Sequence, residues 1–164
     1  MTTISYRPEV QKARTLRQRL DLDRLDYLRE LRRLAAIMSQ TELASQLGVK
    51  QPTIHSALRT AAKVVEPVPG FSGASPYEVA QRYTTGELTR AQLVDELGRW
   101  AYPSEAPTDG FDSLLVFASG SFDEVGRALS EGLIDGAIYD AILDRAADSS
   151  QQSLVAYGDN DFLK

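Results

Sequence analysis

The stretch Ser39-Gln-Thr-Glu-Leu-Ala-Ser-Gln-Leu-Gly48-Val-Lys-Gln-Pro-Thr-Ile-His-Ser-Ala-Leu-Arg59 decides how the chain is read. Ser39 with Glu42 has the spacing of a capping box, in which a hydroxyl and a carboxylate serve the free N–H groups of a helix start. Leu43, Ala44 and Leu47 follow at helical spacing, and Gly48 suits the left-handed position that ends a helix. A second helix restarts at Lys50-Gln51, with Pro52 in the first turn, where its missing N–H costs nothing. Two helices crossing over so short a turn need a small side chain at the contact, supplied by Ala44. Leu43, Leu47, Val49, Ile54 and Leu58 are then expected on the buried side.

Outward from this stretch nearly everything reads as helix, so the fold class expected is all-α. On the N-terminal side, Val10, Ala13, Leu16 and Leu20 recur at a spacing of three or four, as do Leu25, Leu28, Leu31, Leu34 and Met38. The pattern admits one long helix or two, and Asp21 or Asp23 would be the N-cap of a break, the version favoured here. The leucine stripe of the first helix is either one more layer on a small domain or a dimer contact. On the C-terminal side, Glu66–Ser75 carries two prolines and two glycines and is read as a linker. A second break spans Tyr102 to Gly110. The expected domains are 1–65, a linker at 66–75, an acidic helical domain at 76–148 and a flexible tail at 149–164.

The acidic half shows a faint repeat of 46 residues. Ser75 and Glu78 align with Ser121 and Glu124, each pair spaced as a capping box. Gly86 aligns with Gly132, and second caps follow at Thr89 (with Gln92) and Asp135. Two helical hairpins, roughly Pro76 to Arg99 and Phe122 to Ala147, are expected to bury their apolar stripes against each other. Trp100, Tyr102, Phe111, Leu114, Leu115 and Phe117 are expected as core between them.

The central motif resembles the helix-turn-helix of the lambda-repressor and Cro-like (Xre-type) regulators in Gln40, Ala44, Gly48, Gln51 and Ile54. The resemblance covers the motif alone. Family members continue into two more helices, whereas here Pro67 and Pro69 interrupt the chain. The long N-terminal helices would then supply the packing, as in three-helix readers of the sigma-factor region-four type. The resemblance implies that Gln51, Thr53, His55, Ser56 and Arg59 project from the second helix toward double-stranded DNA. Gln51 suits adenine N6 and N7, Arg59 a guanine or a phosphate, Thr53 and Ser56 either base edge or backbone, and His55 a phosphate. Gln40 and Lys50 stand where phosphate contacts are expected.

Charge agrees with that division. Residues 1–65 hold twelve Lys or Arg against six Asp or Glu, a net +6, and residues 66–164 hold six against seventeen, a net −11, making the −5 of the whole. The run Arg14, Arg17, Arg19, Arg24, Arg29, Arg32, Arg33 is interleaved with Asp21, Asp23, Asp26 and Glu30, and reads as helix-surface ion pairs rather than phosphate contacts. The chain has no cysteine and one histidine, so thiolate or multi-histidine metal sites are excluded. No phosphate loop, nucleophile with a base, or cofactor motif is present, and Asp109, Asp112, Asp123 and Glu124 read as solvated or capping groups. An enzyme is the least expected class. With no signal peptide or long apolar run, a cytoplasmic protein away from membranes is expected. The reading is a homodimeric transcriptional regulator, such as a repressor, on a pseudo-palindromic operator. The alternative is an antitoxin whose acidic half neutralises a toxin while the N-terminal half autoregulates.

Overall fold

A computed structural model describes residues 7–103 and 120–158. Seven α-helices and no strand occur among the described residues: α1 (Gln11–Ala35), α2 (Gln40–Leu47), α3 (Gln51–Ala61), α4 (Pro76–Thr84), α5 (Arg90–Gly98), α6 (Asp123–Ser130) and α7 (Gly136–Gly158). The expected all-α class holds. Phe111, Leu114, Leu115, Phe117, Asp109 and Asp112 lie outside the described residues.

The expected break at Asp21–Asp23 is absent, and α1 is one helix of 25 residues. Gln18, Leu22 and Arg29 explain the continuity. Four and then seven residues apart, they share one face of an unbroken helix. Gln18 accepts from Gln81 of α4 (2.5 Å), Leu22 is fully buried, and Arg29 binds Glu78 of α4. A break beside Leu22 would throw these groups out of phase, while Asp21 and Asp23 remain exposed on an intact helix.

Two apolar clusters form. Leu31, Leu43, Ala44 and Ile54, flanked by Leu34, Met38, Ala57 and Leu58, hold α1, α2 and α3 together. Val79, Ala80, Leu93, Leu97, Val125, Ala128, Leu133, Ile134, Ile138 and Ile142 form the core of α4–α7, with Trp100 and Tyr102 packed on it as expected. Helices α5 and α7 approach so closely at Gly98 that an added Cβ would stand 2.2 Å from Arg145 Cγ. Leu47 and Val49, expected inside, are 42% and 39% exposed. They flank the Gly48 turn, where the chain has already left the contact made by Leu43 and Ala44.

The 46-residue echo has a backbone counterpart. Glu78 accepts from the Ala74 N–H (3.0 Å) and Glu124 from the Gly120 N–H (2.8 Å). Gly86 and Gly132 both have positive φ, at 85° and 71°. The next N–H returns to the helix in each case, Glu87 to the Arg82 carbonyl (2.9 Å) and Leu133 to the Ala128 carbonyl (2.8 Å). Thr89 and Gln92 form a complete capping box, and Asp135 accepts from the Ile138 N–H (2.8 Å). Ser75 accepts from the Glu78 N–H, but the Glu78 carboxylate goes elsewhere. The expected cap at Ser121 does not form: α6 starts at Asp123 after Phe122, and the Glu124 carboxylate is taken by the N–H groups of Gly120 and Tyr77. α7 runs on to Gly158, ten residues into the stretch that sequence periodicity leaves as a tail.

Between the two clusters lies a polar node. Arg29 holds Glu78 with two bonds (2.7 and 2.9 Å), and Arg82 bonds Glu78 (2.9 Å), Asp26 (2.7 and 3.0 Å) and Glu87 (2.7 Å). The side chains of Arg29, Arg82 and Glu78 are 9%, 9% and 7% exposed. Burial by itself would raise the Glu78 carboxyl, yet hydrogen bonds from Arg29, the Ala74 N–H and Arg82 hold it below the ordinary glutamate range.

The arginine run of α1 is spent differently from expectation. Among the described residues, Arg29 with Asp26 and Arg33 with Glu30 form ion pairs along the helix. Arg14 donates to the Glu131 carbonyl at the end of α6 (2.5 Å), and Arg19 to the Thr85 carbonyl at the end of α4 (2.6 Å). Arg32 donates to the Ala61 and Val64 carbonyls at and beyond the end of α3 (2.9 and 2.8 Å). Each guanidinium meets carbonyls that lack intrahelical partners, at the negative end of a helix dipole. The segment 66–75 is likewise built in: Glu96 of α5 accepts from the Ser72 N–H (2.8 Å) and hydroxyl (2.7 Å), and Arg99 stacks over Phe71 at 4.2 Å.

Candidate nucleic-acid interface

Helix α2 opens on Ser39, whose hydroxyl accepts from the Glu42 N–H (3.2 Å), and closes on Gly48 at φ 68°. No atom lies within 4 Å of a Cβ built there, so the backbone turn rather than crowding calls for glycine. The Val49 N–H returns to the Ala44 carbonyl (3.0 Å), which fixes the exit direction. After Val49 and Lys50 the chain re-enters helix at Gln51, with Pro52 in the first turn.

Lys50 makes no side-chain cap to α3. Instead the starts of the two helices are tied by their glutamines, the Gln51 Nε2 donating to Gln40 Oε1 (3.1 Å). Gln40 is half-buried, whereas Lys50, Gln51, Thr53, His55, Ser56 and Arg59 are all exposed. Ile54 and Ala61 bury the opposite side of α3.

The exposed residues divide by flank. Gln51 lies toward α2. Thr53 and Ser56 line a groove of about 640 Å³ between α3 and α1, completed by Arg24, Tyr27, Leu28, Pro52, Ala57 and Thr60. Ser56 also borders a smaller depression of about 270 Å³ with Arg59, Thr60 and Lys63. Neither lining contains a carboxylate. Glu42, the one acid of α2 and α3, sits in the first turn of α2, where it complements the dipole.

The seven residues named from sequence therefore all fall on or beside one surface, centred on α3. Sequence reasoning missed three others. Lys63 lies one turn beyond Arg59, a signal available from the i to i+4 spacing. Arg24, which the sequence offers only as part of an arginine run read as ion pairs, and Tyr27 come from α1 and flank α3 through tertiary packing. No protein family, curated protein or solved structure matches the chain.

Among the described residues no helix is long and apolar enough to cross a membrane.

Proposed function

We propose that the chain is a sequence-specific DNA-binding regulator that reads the major groove through α3. The observation that carries this reading is the Gln40–Gln51 bond. A glutamine amide has two N–H donors and one carbonyl acceptor. One Gln51 donor is held by Gln40, leaving a donor and the acceptor at the exposed start of the helix. Adenine presents N7 to accept and N6 to donate in the major groove, which is the complementary pair. The bond to Gln40 also restricts the Gln51 side chain, so less rotamer entropy is lost on binding a base edge.

Lys50 adjoins this amide, and Arg59 and Lys63 lie about two to three turns farther along. They surround a depression whose lining holds no carboxylate, where they suit phosphate oxygens. The resemblance of Gln40, Ala44, Gly48, Gln51 and Ile54 to Xre-type regulators points the same way. Since one such helix spans few base pairs, a dimer on a pseudo-palindrome is part of the proposal.

Selection of bound duplexes from a random library tests it. A recurring half-site containing adenine is expected. Gln51→Ala should then cost about 1–3 kcal/mol on the selected site and far less on random DNA. Equal losses on both would refute base reading, and failure to enrich any sequence would reject the function.

A further inference from the structure

Helix α1 buries one face against α2 and α3 from Leu28 onward, with Arg24 and Tyr27 bordering α3, but nearer its start the continuation of that face is bare. Leu16, Leu20 and Tyr27 are 52%, 69% and 46% exposed, and Ala13, Arg17, Asp23 and Arg24 are exposed beside them. The stripe lies across α1 from Gln18, Leu22 and Arg29, which face α4, so the C-terminal half does not cover it.

We propose that this stripe pairs with the same stripe of a second copy of the chain, antiparallel, about a two-fold axis at Leu20. The register follows from self-complementarity. With Leu20 on the axis, Arg17 of each copy faces Asp23 of the other, giving two ion pairs of opposite charge. Ala13 faces Tyr27, small against large, and Leu16 faces Arg24, whose methylene stem can lie over it. The second copy then closes the α1 side of the groove that Arg24 and Tyr27 line, leaving Thr53 and Ser56 of α3 for DNA. Residues 13, 16, 20, 23 and 27 also keep the alternating three- and four-residue spacing of a two-helix seam. Parallel pairing would instead set Asp23 against Asp23 on the seam, a repulsive contact.

The spacing of the two α3 helices gives an independent argument, one that rests on the DNA-reading proposal. α3 meets α1 at Leu28, which shares the groove with Pro52 and Thr53, and at Leu31, which packs with Ile54. Leu20 to Leu28 and Leu20 to Leu31 are about 12 Å and about 16 Å at 1.5 Å per residue. Doubling across the axis sets the two pairs of contacts about 24 Å and about 33 Å apart along α1, so the farther pair approaches the one-turn half-site spacing of about 34–36 Å.

The absence of cysteine makes the register testable in the full chain without DNA. Leu20→Cys should form a disulfide-linked dimer under mild oxidation, since only the axial position brings identical Cα atoms within bonding range. Leu16→Cys alone should cross-link at least about tenfold more slowly, and Leu16→Cys mixed with Arg24→Cys should give the hetero-dimer. In sedimentation from about 1 to about 100 µM, a range suited to a small interface, the wild-type chain should dimerise. Arg17→Asp or Asp23→Arg alone should weaken the dimer at least about tenfold, and the double variant should restore it. Circular dichroism verifies that each variant is folded. A monomer throughout that range, or cross-linking of Leu16→Cys as fast as Leu20→Cys, would overturn the proposal. A dimer of this register that enriches no DNA sequence would leave the pairing intact and remove only the DNA-reading function.

Discussion

Glu78→Gln is the most informative perturbation of the fold. The change keeps the shape of the side chain and removes the charge, leaving Arg29 and Arg82 as two buried cations, each 9% exposed. Asp26 still pairs with both and Glu87 with Arg82, but these carboxylates are 49% and 40% exposed and their field is screened by water. Removing one partner of a buried pair typically costs about 3–5 kcal/mol, because the remaining charge stays desolvated. For a chain of this size that corresponds to a fall in Tm of roughly 6–20 °C by calorimetry. The pH dependence supplies a sign. Since the folded state holds the Glu78 carboxyl below its ordinary value of 4.5, its contribution is complete above that value and is lost as the pH falls through the lower folded one. The gap between wild type and Glu78→Gln should therefore be widest at neutral pH and close in acid. A Tm within about 2 °C of wild type at pH 7, or a gap independent of pH, would refute the node as the tie between α1 and α4.

Gln40→Ala should cost about 0.5–1 kcal/mol on the selected DNA site, and its combination with Gln51→Ala should bind no worse than Gln51→Ala alone, as titration by fluorescence anisotropy would show. Lys63→Ala is expected to weaken binding to all sequences alike and to lower the slope of log affinity against log salt by about one. Gly48→Ala must place a Cβ at φ 68°. It should destabilise by about 1–2 kcal/mol in urea unfolding although no neighbour is touched.

The parts legible in the sequence were those decided within one turn of helix. Ser39, Gly48, Ser75, Gly86, Thr89, Gly132 and Asp135 mark helix ends because the groups they satisfy are three or four residues away. The same grammar misled wherever a partner from another element competed for the side chain. Asp21 and Asp23 have the chemistry of caps, but burial of Leu22 keeps the helix intact. Glu124 has the spacing of a capping box with Ser121, yet the Tyr77 N–H arrives from α4 to take the carboxylate. Glu78, read as half of a capping box, becomes the buried centre of a network whose arginines lie 49 residues before it and four after. At the proposed interface, Gln40 and Gln51 were legible because a three-residue turn fixes their relation. Arg24 and Tyr27 were not, since their place beside α3 depends on how α1 packs.

The arginines of α1 that finish the ends of other helices have a consequence for the order of assembly. α1 is synthesised first, but the carbonyl that Arg19 serves is 66 residues downstream and the one served by Arg14 is 117 downstream. Contacts of such separation carry a loop-closure cost before they return any stability. During synthesis α1 therefore emerges with its guanidinium groups still hydrated, and α4 and α6 remain frayed until it docks on them. Productive folding should start late and finish in one concerted step, so a nascent chain halted before Glu131 should be more sensitive to protease at α4 than the completed one.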